Sequence, residues 1–426
     1  MNKTNLRLIP ALIAIAFSGS AAAAGFQLLE QNASGIGNAY AGSAAIADNA
    51  STVFYNPAGM TQLQRIEVSG GISAVGTSFK FTDQGSSVGA LAGTGNGNDG
   101  GGWGFIPNGY ISWALTKDLY VGLGIGAPFG MKTEYDDRWV GAAQSQSFDV
   151  KTYNLNPSVA YRVNEYVSLG GGLNIQRLEA TYKRLTAISV NGAASPLKLT
   201  LDDNSLGWNM GALFTLTPQT KLGISYRSEV KYSTTGRIEI TGPAAANSSD
   251  ARADITLPDV WILSVTHKLS DRVELLGDVS RTGWSSIPKV DVIRTTATLS
   301  GLQVGTTAQT LDTDFKDTWR IAVGANYKLN NEWMLKGGLA YDQTPVQGPT
   351  TRLVSLPDND RTWFSLGAQW KPTKSMTIDA GATYLYVKDA RIDNDQGTAA
   401  APLRGRVTGT YEDSAWIFGL QGSMAF

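Results

Sequence analysis

From about residue 65 to its end the chain alternates apolar and polar positions with period two. In TWRIAVGANYKL, Trp319, Ile321, Val323, Ala325, Tyr327 and Leu329 share one face, while Thr318, Arg320, Ala322, Gly324, Asn326 and Lys328 share the other. After Asn330 and Asn331 the pattern resumes with Trp333, Leu335, Gly337, Leu339 and Tyr341, and it recurs over residues 153–162 and 378–386. A soluble β-sandwich alternates too, so the connections carry the argument further. Short polar turns recur at residues 116–118, 164–165, 217–220, 269–272, 330–331 and 372–375, separated by longer stretches rich in Gly, Ser, Asn and Asp. Short turns at one end and long loops at the other are the pattern of an outer-membrane β-barrel. About fourteen antiparallel strands are predicted, starting near residues 65, 104, 119, 148, 166, 205, 220, 253, 272, 314, 332, 361, 375 and 406.

Composition narrows the class. The 426 residues include 48 Gly, 11 Trp and 16 Tyr but no Cys, so disulfides contribute nothing to stability. The 35 basic and 36 acidic residues are scattered, which argues against nucleic acid as a partner. No window after the first two dozen residues is apolar for long enough to form a spanning helix. The N-terminus itself, with Lys3 and Arg7 before an apolar run over residues 8–17 and then Ala21, Ala22, Ala23 and Ala24, reads as a secretory signal peptide over residues 1–24. It is cleaved after Ala23 or Ala24. The final WIFGLQGSMAF puts Trp416, Phe418, Leu420, Met424 and Phe426 on one face and ends on an aromatic residue, like the signal read by the barrel-assembly machinery. The expected location is the outer membrane of a Gram-negative bacterium, in contact with lipid and lipopolysaccharide.

Residues 25–62 do not alternate and are rich in Ala, Gly, Ser and Asn, so they cannot be wall. Their small side chains suit close packing within a lumen, with short helical turns expected at residues 37–42 and 44–49. They read as an N-terminal plug, or hatch, ahead of a barrel over residues 63–426, the alternative being a flexible periplasmic leader. Asn56, Pro57 and Ala58 would form a fixed turn that hands the plug to the first strand.

The order of several motifs along nearly the whole mature chain resembles the FadL/TodX-type outer-membrane transporters of long-chain fatty acids and other hydrophobic compounds. The motifs are GFQLLEQNASGIGNAYAGSAAIADNAST, Asn56-Pro57-Ala58, GIGAPFGMKTEYDDRWVG, YRSEV, LPD at residues 257 and 356, TGWSSIP and DTWRIAVGANYK. The resemblance implies a monomeric fourteen-stranded barrel with a hatch, and passive ligand transfer through a lateral opening in the wall; no metal-spaced cluster or nucleotide loop stands in the sequence, so no cofactor is expected.

The residues offer their own reasons for such a route. Pro128 lacks a ladder N–H inside the third strand, so Gly126, Ala127, Pro128, Phe129 and Gly130 mark a kink that opens the wall, or a harmless proline at the strand's upper end. In the family this stretch is the inward kink. A loop over residues 186–204 carries Ile188, Val190, Leu197, Leu199 and Leu201 and offers an apolar landing groove, unless strands simply extend above the membrane there. Each CH2 buried in such a groove contributes about 0.8 kcal/mol. Inward-facing Arg227 and Arg320 are candidate carboxylate contacts or structural cations. Relatives divide between fatty acids and aromatic hydrocarbons, so both stay open as substrates. A polar-solute porin and a lipid enzyme are the remaining classes; an enzyme would need a base, and the lone His267 lies in phase with the lipid-facing Trp261, Leu263 and Val265.

Overall fold

The computed structural model describes residues 25–398 and 403–426. Fourteen antiparallel strands close into a barrel. They are β1 (Ile66–Asp83), β2 (Trp103–Ala114), β3 (Leu119–Gly126 and Gly130–Glu134), β4 (Ser147–Arg162), β5 (Val167–Ile188), β6 (Ala194–Thr217) and β7 (Thr220–Arg227 and Val230–Ile240). β8 (Ser249–Leu257 and Val260–Lys268), β9 (Val273–Thr282 and Lys289–Arg294), β10 (Thr307–Asp312 and Thr318–Lys328), β11 (Trp333–Asp342) and β12 (Arg361–Trp370) follow. β13 (Met376–Val387 and Ala390–Asp395) leads to β14 (Arg406–Ala425), which closes the ring by pairing with β1 from Glu67–Ala425 to Asp83–Gly409. The signal peptide lies outside the described residues.

Alternation sets the two surfaces. Ile321, Val323, Leu335 and Leu339 are exposed on the outer face, while Ala322 and Ala340 between them are buried within. Aromatic residues collect near both rims of the outer apolar band, with Trp333 stacked on Trp370 at 5.8 Å near the short turns and Tyr226 against Trp261 at 4.5 Å near the other end. Two such girdles flank the lipid-facing band of outer-membrane barrels. His267 is exposed beside a short turn, with Nδ1 2.9 Å from Thr220 Oγ1.

Two expectations change. Residues 186–204 are not a loop: β5 and β6 run 22 and 24 residues, about twice what crosses a bilayer, and project as a hairpin with its tip near Val190. Leu197, Leu199 and Leu201 are buried strand residues of that projection, Ile188 ends its first strand half-buried, and Val190 lies exposed at the tip. β10 likewise begins at Thr307 rather than near residue 314, and β8 at Ser249 after a 3-10 helix, Gly242–Asn247. Strands β7 to β10 all break on the loop side of the band, two of them at Pro258 and Pro288, where the ladder lacks a donor. Val230, Leu257, Trp284, Ile287 and Phe315 flank these breaks and turn inward into one cluster with Phe26 and Phe129.

Within the barrel, residues 25–63 fold as a chain of turns: a 3-10 helix at Ile36–Asn38, a single helical turn at Thr52–Tyr55 and a second 3-10 helix at Pro57–Gln62. The helical turns expected at residues 37–42 and 44–49 are non-helical turns apart from the short piece at Ile36–Asn38. Ala39 and Tyr40 adopt left-handed φ values of 52° and 57°, which ends that piece.

Candidate functional site: a lumen with an apolar cavity and a broken wall strand

The wall holds the N-terminal segment by its backbone. Arg227 Nη2 donates to Phe54 O at 2.9 Å, Arg320 Nη2 to Ala39 O at 2.6 Å, Lys336 Nζ to Ser34 O at 3.0 Å, and Arg162 Nη2 to Thr61 O. Arg227 also lies over the Phe54 ring at 4.0 Å and Arg320 over Trp363 at 4.9 Å, so both guanidiniums have structural partners. Lys336 is paired with the buried Asp379 at 2.8 Å. Of the two readings of Arg227 and Arg320, carboxylate contact or structural cation, these partners support the second. Wall glycines permit the close approach: a Cβ on Gly338 would stand 2.3 Å from Asn38 C, and one on Gly211 would stand 2.1 Å from Asn56 Oδ1.

Asn56 is fully buried, and its side chain is saturated. Nδ2 donates to Ala44 O at 2.7 Å and to Ala212 O at 3.0 Å, while Oδ1 accepts from Ala58 N at 3.1 Å. Pro57 begins the following 3-10 helix, where a missing N–H costs nothing.

β3 is broken at residues 127–129. Its first half pairs with β2 from Gly109–Ile125 to Ala114–Tyr120, and its second half pairs with β4 only, so among the described residues β2 above residue 109 has no ladder partner on that side. The interior segment bonds the broken part of β3 instead. Leu28 N donates to Pro128 O at 2.8 Å, Gly130 N to Phe26 O at 2.8 Å, and Gln31 binds both backbone groups of Ala127, at 2.7 and 3.0 Å. Phe129 is buried, with its ring 6.0 Å from Phe26 and 6.2 Å from Trp284. Beside these contacts Glu30 is fully buried, with neither carboxyl oxygen hydrogen-bonded among the described residues, and burial pushes its carboxyl up to about 7 against the charges of Arg361 and Arg320.

Above Phe26 lies a narrow cavity of about 80 Å³ whose walls are apolar, including Phe148, Leu178, Leu199, Leu201, Val292 and Phe315. Tyr182 lines it too, and two residues further on the same face of β5 Arg184 is buried, with Nε donating to Gln309 Oε1 at 2.8 Å. Arg294 and Arg404 are its charged neighbours. Among the described residues none of the three arginines has a carboxylate partner, and Arg404 Nε has no acceptor. Three cations without a counter-ion at the mouth of an apolar chamber leave donors free for an anion.

The expected groove residues divide. Leu199 and Leu201 line the cavity, Ile188 and Leu197 line a separate open groove with Arg138, Lys183 and Lys198, and Val190 stands fully exposed at the hairpin tip. Arg184 went unread in the sequence, although it stands in phase with the inward Gln176, Leu178, Ala180 and Tyr182. An arginine ending an inward apolar run was the available signal.

The chain matches the family model described as outer membrane protein transport protein (OMPP1/FadL/TodX) over residues 14–426. It is 30% identical over 472 aligned positions to outer membrane protein P1 of Haemophilus influenzae, covering all of both chains. It is 28% identical to the long-chain fatty acid transport protein of Escherichia coli, covering all of this chain and 98% of that one. Among solved structures, a Pseudomonas aeruginosa FadL homologue superposes with a TM-score of 0.85 at 23% identity, over 95% of this chain and 100% of that one. With the closed fourteen-stranded barrel already in view, these matches make the chain a member of the OMPP1/FadL/TodX family, an outer-membrane transporter of hydrophobic compounds.

Proposed function

We propose that the protein takes up long-chain fatty acids, binding the alkyl chain in the apolar cavity and the carboxylate at Arg184 with Arg294 and Arg404. The observation that carries this reading is the arginine cluster, with Arg184 and Arg294 buried and Arg404 half-buried, which has no carboxylate partner among the described residues and stands two residues beyond Tyr182 and Val292 of the apolar chamber. A neutral aromatic hydrocarbon would fill the chamber but leave the cations unused. Capture begins in the open groove at Ile188 and Leu197, whose rim lysines and Arg138 attract an anion. Release is lateral, between β2 and β3 at Gly126, Ala127, Pro128, Phe129 and Gly130, once the contacts of residues 26–31 with the broken strand are given up. Asn56, Pro57 and Ala58 hold the rest of the hatch in place during that movement.

The test is binding of a fatty acid and of the alcohol of equal chain length to the purified Arg184→Gln variant. A charge-assisted hydrogen bond contributes about 1.5–3 kcal/mol, roughly a tenfold to hundredfold loss for the acid. The alcohol should bind as before. Equal losses for both ligands, or no loss for the acid, would remove Arg184 from the site and favour an uncharged substrate.

A further inference from the structure

Gly25, the first described residue, is buried, and its main-chain nitrogen donates to Asp358 Oδ2 at 2.9 Å. Its φ is 61°, and a Cβ there would stand 2.7 Å from the Trp284 ring, so glycine alone fits the position. Asp358 also accepts from Thr344 Oγ1 at 2.7 Å and from Arg361 Nη2. A second carboxylate lies close by. Asp413 on β14 is only 6% exposed, neither of its oxygens has a hydrogen-bond partner among the described residues, and its charged neighbours are Asp358, Arg361, Arg352 and Asp99. Arg352 directs its guanidinium to the main-chain oxygens of Asp358 and Arg391, so it does not close on Asp413. In the strand register Asp413 stands opposite Phe79, which packs in the same cluster as Phe26. The unpartnered carboxylate therefore lies where the chain's first mature residues are seated, and a buried carboxylate without a partner is costly.

We propose that Asp358 and Asp413 form a receptor for the α-ammonium group that removal of the signal peptide creates at residue 24 or 25, and that this pairing fastens residues 25–28 across the broken strand. Hydrolysis by the export peptidase adds water across the peptide bond. The carboxylate leaves with the leader, and the amine, protonated at neutral pH, stays on the mature chain. Cleavage after Ala24 turns Gly25 N from one neutral donor into three charged ones; cleavage after Ala23 places the ammonium one residue away, about 3.8 Å between successive Cα atoms. Either product brings one positive charge to a pair of buried carboxylates, one of which lacks a partner. The precursor lacks that charge, so processing strengthens a hold that Gly25 N already makes as a neutral donor.

The experiment requires no transported ligand and so stands apart from the substrate proposal. Mature protein purified from outer membranes is first weighed by mass spectrometry, then treated with an amine-selective acylating reagent across a pH series, folded and heat-unfolded. The folded α-amine should react at least about tenfold more slowly, with its midpoint about one unit above the ordinary 7.7–8.0. Asp413→Asn and Asp358→Asn should each bring that midpoint back. A mature chain starting elsewhere, a folded midpoint at or below the ordinary range, or a raised midpoint unchanged in both variants would overturn the proposal. The wild-type pH series alone decides the matter if either variant does not fold.

Discussion

Asn56 of the interior segment and Gly211 of β6 occupy one space: the amide oxygen of the first lies 2.1 Å from where a Cβ on the second would stand. Asn56→Ala leaves Ala44 O, Ala212 O and Ala58 N without their partner, at about 1–3 kcal/mol for each buried group left unpaired. Gly211→Ala should displace Asn56 and reproduce the defect from the wall side. Both variants are expected to keep a folded, heat-modifiable barrel while hydrogen exchange over residues 44–63 speeds up. An unchanged exchange pattern in Gly211→Ala would show that the contact does not hold the segment.

Gln27 and Phe129 face each other as a narrow antiparallel pair, flanked by the bonds of Leu28 to Pro128 and of Gly130 to Phe26. Such pairs bring Cα atoms to about 4.5 Å, within disulfide range. The chain has no cysteine, so Gln27→Cys with Phe129→Cys introduces a single clean crosslink. Oxidised cells should take up labelled long-chain fatty acid at the rate of a transporter deletion, and a reductant should restore uptake. Equal uptake in both redox states would mean that ligand leaves without parting these strands.

Glu30 makes the interior segment sensitive to pH. Its carboxyl titrates near 7 in the folded protein and near 4.5 when unfolded, so between these values the folded state holds the extra proton. Stability contributed by the neutral form is therefore complete below about pH 4.5, declines as pH rises, and is gone above about pH 7, a swing of up to about 3 kcal/mol. Glu30→Gln should flatten this slope in melting experiments between pH 5 and 8. A variant that keeps the wild-type slope assigns the titration to another group.

On the outer face, Val323→Arg should cost about 2–4 kcal/mol near the bilayer midplane. Arg at Ala322 meets a different resistance, because Ala322 is buried against the interior segment rather than lipid. Urea titration of barrels refolded in liposomes should show a large loss for the first variant. For the second, the expected defect is faster exchange in residues 33–41 with the barrel midpoint nearly kept.

The wall was legible because period two and turn length are local properties of the chain. Ile321 and Val323 announce their face within a few residues, and Pro128 announces its break by chemistry alone. The projection of β5 and β6 was not legible, since Leu197, Leu199 and Leu201 alternate identically whether they face lipid, solvent or a cavity. Nor was the employment of Arg227 and Arg320: their inward direction followed from phase, but their acceptors, Phe54 O and Ala39 O, belong to a segment more than 150 residues away. Arg184 shows the same limit, because its importance lies in the carboxylate that is not beside it.

Arg162, Arg227, Arg320 and Lys336 each reach a carbonyl oxygen of the interior segment, and a carbonyl is the same at every residue. At Ser34 and Ala39 the grip therefore registers the path of the backbone alone, whereas the Phe54 ring under Arg227 and the Thr61 hydroxyl bonded to Ser168 add side-chain contacts. Drift at Ser34 and Ala39 leaves these wall bonds in place, whereas loss of any one of the four cations removes one, so at those two positions inherited constraint falls on the container more heavily than on what it contains.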